Sequence, residues 1–136
     1  MQELELERVV RFVGSCNDMA AAYMLADVVV SASTDPEAFG RVAVEAQAMG
    51  RPIIATDHGG ARETVRPGIT GWLSQPGDAL ELASLLRKAL ALNENDRATM
   101  AALGRDNVLR RFTVEQMGQK TLDVYRELLC VEKEDD

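Results

Sequence analysis

Several residue types that mark particular protein classes are scarce in this sequence. Its 136 residues include two cysteines, one histidine and only 4% aromatic residues. Cys16 and Cys130 lie far apart and match no metal-binding or redox spacing. Residues 1–5 lack the basic start and the apolar stretch of a secretory signal. We therefore expect a cytoplasmic protein whose cysteines form no metal or redox motif.

The chain also lacks a net positive charge and long apolar runs. The formal net charge is -7, which supplies no basic surface for phosphates and argues against nucleic acid as a partner. No apolar run reaches the roughly 18 residues that indicate a membrane-spanning helix. Any contact with a membrane is therefore expected to be peripheral.

The composition that remains is typical of one globular α/β domain. With 46% hydrophobic and 27% charged residues, a chain of 136 residues has room for one core. Residues 1–130 are predicted to form this domain, and residues 131–136 a charged, solvated tail. Short β-branched or apolar runs predict strands, and amphipathic or alanine-rich runs predict helices. The predicted strands are residues 9–14, 28–31, 52–56 and 71–73, and the predicted helices are residues 19–26, 40–49, 97–110 and 114–130, with another helix beginning at Asp78.

The strand at residues 28–31 is apolar on both faces, which indicates a buried parallel strand. Two pairs of residues have the spacing of a capping box at a helix start, namely Asp78 with Glu81 and Thr113 with Gln116. Apolar stripes on the last two helices are expected to cover the sheet. The stripes consist of Met100, Leu103 and Leu109 on the first of these helices, and of Met117, Val124 and Leu128 on the second.

The loop at residues 31–40 is the segment in which a functional site is expected. It follows a predicted parallel strand and enters a helix at Gly40. Ligands of open parallel sheets bind beyond the carboxyl ends of the strands, and a helix N-terminus presents unpaired backbone N–H groups to a phosphate. The loop and the start of the helix are therefore suited to bind the phosphate group of a ligand.

Glu45 is an unusual residue because its neighbours in the helix are small and apolar. Helical geometry brings Arg41 and Glu45 onto one face and separates Glu45 from Gly40 by roughly 8 Å along the axis. A similar span separates the phosphate and the ribose of a nucleotide. A solvated ion pair between Glu45 and Arg41 explains the same spacing equally well. The local pattern favours neither interpretation.

Residues 37–45 resemble the Glu-x7-Glu motif of the retaining, family-4-like glycosyltransferases with a GT-B fold. The resemblance extends to further landmarks in the same order and spans about residues 9–130. The implied fold is a Rossmann-like, three-layer α/β domain with a parallel sheet, the C-terminal half of a GT-B fold, truncated at its N-terminal side. The landmarks are residues 12–14, Tyr23, residues 26–28, residues 52–56, Gly59, Gly60, Glu63 and residues 68–73.

The resemblance implies roles for particular residues of the motif. Glu37 would be the catalytic-site carboxylate beside the transferred sugar. The backbone N–H groups near Phe39, Gly40 and Arg41 would face the sugar and the diphosphate, and Glu45 would accept hydrogen bonds from the ribose hydroxyls. In addition, Gly59 and Gly60 would allow close backbone approach, and Glu63 would begin the next helical turn.

The implied activity is transfer of a sugar from a nucleoside-diphosphate sugar to a hydroxyl acceptor, with retention and without a metal ion or cofactor. A helix N-terminus would stabilise the departing diphosphate. Enzymes of this kind act on cell-envelope glycans among other acceptors, which makes the inner face of the membrane a possible peripheral location. The basic phosphate ligands and the acceptor domain of the family precede the region matched by this chain. We therefore expect the chain alone to be inactive.

Two alternatives to an active transferase are considered, and two further residues are considered as functional residues. The chain could be a non-catalytic nucleotide-binding or dimerisation remnant, whereas an epimerase is disfavoured by the context of the motif. The only histidine, His58, has no defined role in the family and is interpreted as a loop residue, and Trp72 as a packing residue.

An assembly prediction follows from the topology that the resemblance implies. Strands 9–13 and 28–31 would lie about two strand widths, roughly 10 Å, apart in the parent sheet. We expect either that they pair directly or that chains pair edge to edge in a homodimer, and we favour the dimer.

Overall fold

A computed structural model describes residues 6–131 of the chain. The division into a domain of residues 1–130 and a charged tail stays a prediction, since residues 132–136 lie outside the described residues. Helices and strands alternate up to the third strand, and the rest of the described chain is helical. The elements are α1 Met19–Leu25, β1 Val29–Ser31, α2 Arg41–Ala48, β2 Ile53–Thr56, α3 Ala61–Thr64, β3 Gly71–Ser74, α4 Ala79–Leu90, α5 Glu94–Arg111 and α6 Val114–Val131.

The three strands form one parallel sheet in the order β1-β2-β3. The central strand β2 is buried along its whole length because helices cover both faces of the sheet. Ile53 and Ala55 pack in one apolar cluster with α1 and α2, whereas Ile54 packs on the opposite face with Trp72 and residues of α4 and α5. The predicted three-layer α/β arrangement with a parallel sheet is therefore confirmed.

The predicted strand at residues 9–14 is wrong. This segment is not a strand, and Phe12 and Val13 are 84% and 85% exposed. Its β-branched composition favours extended backbone, but a strand also needs a neighbour that accepts and donates backbone hydrogen bonds. Among residues 6–131 no strand pairs with it, so the alternative in which it pairs directly with residues 28–31 is wrong as well.

The predicted burial of β1 is also wrong. Within the described sheet β1 pairs only with β2, and Val30 is 39% exposed. An apolar strand is buried on both faces only where layers cover it, and β1 lies at the edge of the described sheet. Its sequence predicted a strand and its direction but not its place in the strand order.

The expectation that the last two helices cover the sheet holds only for Met100, which is buried. Helix α5 packs mainly against α2, with Gly104 lying close to Gln47, and Leu103 and Leu109 are exposed. The apolar stripe of α6 is exposed by more than half at Met117, Val124 and Leu128. Periodicity identifies the apolar face of a helix but not the surface that this face contacts. None of the helices within residues 6–131 combines the length and hydropathy needed to cross a membrane.

Both predicted helix caps are present as the first half of a capping box, in which the side chain of the N-cap residue accepts a hydrogen bond from a backbone N–H. The Asp78 side chain accepts a hydrogen bond from the Glu81 backbone N–H at 2.8 Å, and Thr113 Oγ1 accepts one from the Gln116 N–H at 3.2 Å. The Glu81 carboxylate accepts a bond from the Gln75 N–H at 2.6 Å instead of reaching the N–H of Asp78. The cap therefore also anchors the loop that joins β3 to α4.

Candidate functional site

The candidate site lies where the loop after β1 enters helix α2. Gly40 is the N-cap of α2 and has φ +79°, a left-handed conformation that side-chain-bearing residues rarely adopt. No side chain among residues 6–131 caps this helix, so the first N–H groups of α2 are free of a side-chain partner there and can bind an anion. The sequence predicted this junction of strand, loop and helix correctly.

Glu37 and Phe39 are held in place by close contact with the turn after β2. The Gly60 N–H donates to the Glu37 carbonyl oxygen at 2.8 Å. A Cβ atom added to Gly59 would collide with the backbone of Glu37, and one added to Gly60 would collide with the backbone of Phe39. The predicted close approach at both glycines is confirmed, and α3 begins directly after Gly60 with Glu63 in its first turn.

The same loop is also tied to the end of β2 through Ser33. The Ser33 carbonyl oxygen accepts hydrogen bonds from Thr56 Oγ1 at 2.7 Å and from His58 Nε2 at 2.9 Å. The His58 ring nitrogen Nε2 therefore carries its proton, because a carbonyl oxygen can only accept. This contact agrees with the interpretation of His58 as a loop residue. It also joins the turn after β2 to the loop after β1.

Two cavities flank the carboxyl ends of the strands. One lies beside Glu37 and the other, of about 150 Å³, lies beside the start of α4. Among the described residues, neither cavity has a lysine or an arginine in its lining. The first is lined by Ser31, Ser33, Glu37, Gly40, Ala43, Ala55, Thr56, His58 and Ala61, and the second by Ala32, Thr34, Thr56, Ser74, Gln75, Gly77, Asp78, Ala79 and Leu82.

Glu45 lies further along α2, outside the cavity of Glu37, and both of its carboxylate oxygens have partners. Oε1 accepts hydrogen bonds from Arg41, whose Nη2 lies at 2.9 Å, and Oε2 accepts one from the Tyr23 hydroxyl at 2.9 Å. The pairing of Arg41 with Glu45 follows from the helical spacing and was expected. The contact with Tyr23 was missed, because nothing in the spacing of residues 22 positions apart indicates it.

Tyr23 is a core residue with an unusual titration. Its side chain is 5% exposed and packs in the apolar cluster of α1, α2 and β2. Burial, together with the hydrogen bond to Glu45 and its negative charge, raises the pKa of Tyr23 to about 12. The phenol therefore remains a neutral hydrogen-bond donor throughout the physiological range.

This environment predicts a loss of stability at alkaline pH. Because the pKa of Tyr23 is raised in the folded state, its contribution is complete below pH about 10 and is lost as the pH rises towards about 12. In that window the free energy of unfolding of the wild type should fall by about 1.4 kcal/mol per pH unit more than that of Tyr23→Phe. Urea denaturation of both proteins at pH 9, 10 and 11 measures this difference, and parallel curves would contradict it.

Phe39 makes an aromatic contact that sequence reasoning also missed. Its ring lies edge-on to Phe112, with ring centroids 5.6 Å apart, and the Arg111 guanidinium lies 4.7 Å from the centroid of Phe112. Arg111 also donates to the Glu63 carbonyl oxygen at 3.1 Å. The end of α5 therefore supports the loop that precedes α2.

Trp72 is a packing residue, as predicted. It is 5% exposed and belongs to the apolar cluster on the α4 side of the sheet. The Lys88 ammonium lies 5.7 Å from the ring centroid, on the face of the sheet opposite to α2. The ring is therefore not part of the candidate site.

Comparisons with known proteins agree with this arrangement. The D-inositol 3-phosphate glycosyltransferase of Corynebacterium urealyticum is 33% identical over 135 residues, which are 98% of this chain and 31% of that protein. A solved glycosyltransferase from Rickettsia africae superposes with a TM-score of 0.89 at 34% identity, covering 94% of this chain and 34% of that one. Anabaena HepE, crystallised with UDP and glucose, gives a TM-score of 0.85 at 34% identity over 93% of this chain and 34% of that one.

The chain thus spans about a third of the length of these relatives. Its parallel sheet with helices on both faces is the Rossmann-like arrangement of a GT-B glycosyltransferase. The model of the family described as glycosyl transferases group 1 matches residues 1–106. The chain belongs to this glycosyltransferase family.

Proposed function

We propose that this chain is the donor-binding part of a glycosyltransferase that transfers a sugar from a nucleoside-diphosphate sugar to a hydroxyl acceptor with retention. The observation that carries the proposal is the uncapped N-terminus of α2 at Gly40, held beside Glu37 by the backbone of Gly59 and Gly60. Such a helix end stabilises a diphosphate through its N–H groups and its dipole. Glu37 lies next to this anion site and is assigned to the transferred sugar.

We assign the binding roles to five residues of the motif. The backbone N–H groups at Phe39, Gly40 and Arg41 bind the diphosphate and the sugar, and Glu37 accepts hydrogen bonds from sugar hydroxyls. Glu45 accepts hydrogen bonds from the ribose hydroxyls. Its carboxylate is about a third exposed and lies on the same helix as the phosphate site. Charge on the leaving diphosphate is stabilised by fixed backbone dipoles, which is an efficient form of electrostatic catalysis.

UDP is the first nucleotide to try, because the similar Anabaena protein was solved with UDP and glucose. Binding is expected to be weak, since neither cavity at the strand ends contains a lysine or an arginine. Two missing charge-assisted contacts, each worth roughly 1.5–3 kcal/mol, shift a micromolar site towards the millimolar range. For the same reason we propose that this chain alone does not transfer sugar. Turnover of labelled donors with a broad acceptor panel would contradict that statement.

Substitution Glu45→Ala is expected to weaken the binding of UDP by about tenfold or more, because charge-assisted hydrogen bonds to the ribose are lost. Chemical-shift titrations of the labelled 136-residue chain with UDP, GDP and ADP measure affinities in this range. Asp106→Ala is the matched control, since it breaks a similar ion pair with Arg110, four residues away on the exposed face of α5. Equal affinities of wild type and Glu45→Ala would remove Glu45 from the site.

A homodimer is a second candidate role, favoured by the edge of the described sheet. On the side of β1 that faces away from β2, the described chain supplies no pairing strand, and the edge residue Val30 is 39% exposed. Unpaired edge strands readily pair with another chain. Light scattering at micromolar concentration should give a mass near twice 14.9 kDa. A strictly monomeric, cooperatively folded chain would contradict the dimer without affecting the donor site.

A further inference from the structure

The hydroxyl of Tyr23 is a rigid hydrogen-bond donor aimed at Glu45. Its ring is packed in the core between α1, α2 and β2 and is 5% exposed. A tyrosine has only two side-chain torsions, and core packing restricts both of them. The 2.9 Å hydrogen bond from the Tyr23 hydroxyl therefore fixes the position of Oε2 of Glu45 relative to the core. Because the phenol has a raised pKa, it keeps its proton and continues to donate.

The partner of the other carboxylate oxygen is of a different kind. Arg41 contacts Oε1 of Glu45 at 2.9 Å, but its side chain is 83% exposed. Exposed ion pairs between residues four positions apart on a helix contribute little to stability, because water screens the charges and long side chains lose entropy. The contact between Arg41 and Glu45 is therefore easily exchanged, whereas the contact with Tyr23 is not.

We infer that Tyr23 is a positioning residue for nucleotide recognition: its hydroxyl holds Oε2 of Glu45, so that Oε1 can exchange Arg41 for the hydroxyls of a ribose. This inference rests on the ribose role proposed for Glu45. Three flexible torsions would otherwise let the carboxylate of a surface glutamate sample many positions. A carboxylate held at one oxygen presents the other in a fixed direction, which allows it to distinguish a ribose from a sugar without hydroxyls.

The test compares the binding of UDP and 2′,3′-dideoxy-UDP to the full 136-residue chain by chemical-shift titration. The wild type is expected to prefer UDP by about tenfold, the effect of charge-assisted hydrogen bonds to the ribose. Tyr23→Phe should reduce this preference to about threefold or less, while the affinity for dideoxy-UDP stays within about twofold of the wild type. A purely structural role would weaken both nucleotides alike and would overturn the inference, as would a full preference in Tyr23→Phe.

Arg41→Ala is the second variant. Because the Arg41 side chain is exposed, we expect this variant to fold like the wild type. Alanine keeps the backbone N–H that is assigned to the diphosphate, so this variant should retain the preference for UDP over 2′,3′-dideoxy-UDP, whatever its common effect on the affinity for both nucleotides. If Arg41→Ala abolishes the preference instead, Arg41 orients Glu45 and the role assigned to Tyr23 is wrong. If the wild type itself shows no preference for UDP, the ribose role of Glu45 fails and the inference fails with it. This last result differs from the other outcomes because it appears before any substitution at Tyr23.

Discussion

Gly60→Ala is expected to reduce the free energy of unfolding by about 3 kcal/mol or more. The added methyl group would collide with the backbone Cα, carbonyl carbon and carbonyl oxygen of Phe39. Flexible side chains can move aside at little cost, but this backbone is held by the hydrogen bond from the Gly60 N–H to Glu37 and by the start of α2. Urea denaturation of the wild type and the variant measures the loss.

Gly118→Ala is the matched control for this substitution. Gly118 lies inside α6, and no atom of the described chain lies within 4 Å of an added Cβ, so alanine should stabilise the helix by about 0.5–1 kcal/mol. A variant Gly60→Ala as stable as the wild type would show that the loop and the turn after β2 are not in close contact. Where a folded fraction remains, its affinity for UDP should be lower than that of the wild type, because Phe39 and Gly40 are displaced.

Gln47→Ala is expected to cost about 3 kcal/mol of unfolding free energy. The Gln47 side chain is fully buried between α2, α3 and α5. Its Nε2 donates to the carbonyl oxygens of Ala43 and Thr64, each at 3.0 Å, and its Oε1 accepts from Asn107 at 2.9 Å. Truncation would leave a cavity and remove hydrogen bonds from buried polar groups, and each of these effects is destabilising.

Gln119→Ala separates the effect of burial from the effect of removing a helical glutamine. Gln119 is exposed on α6 and donates to Asp123, four residues away, at 2.7 Å. Its replacement should change stability by no more than about 0.5 kcal/mol, as is usual for exposed positions. If both variants lose the same free energy, the buried network around Gln47 does not stabilise the packing of α5 on α2. Chemical or thermal denaturation of the two variants decides this.

The sequence predicted only some of the contacts of Glu45. Helical periodicity alone brought Arg41 and Glu45 onto one face, and the structure confirms that they touch. The same periodicity could not indicate Tyr23, because α1 and α2 meet only after the chain has passed through β1. The contact of Phe39 with Phe112 was missed for the same reason.

The wrong strand prediction for residues 9–14 and the exposed apolar face of the last helix have a common cause. Residues 9–14 have the composition of a strand, and the last helix has the periodic apolar face of a packed helix. In the described chain, however, Phe12 and Val13 have no neighbouring strand, and Met117 is 65% exposed. The composition of a segment indicates which kind of neighbour would stabilise it. It does not show that such a neighbour is present in the fold.

The sequence by itself determined the features that depend on a few adjacent residues. These are the helix caps at Asp78 and Thr113, the entry of the loop into a helix at Gly40, and the spacing of the two glutamates on either side of it. Backbone geometry and short-range hydrogen bonds decide such features, so they can be recognised before any tertiary contact is known. Only the tertiary structure decided that Tyr23 fixes Glu45 and that the glycine turn holds Glu37, because these contacts join segments that chain folding brings together from distant positions.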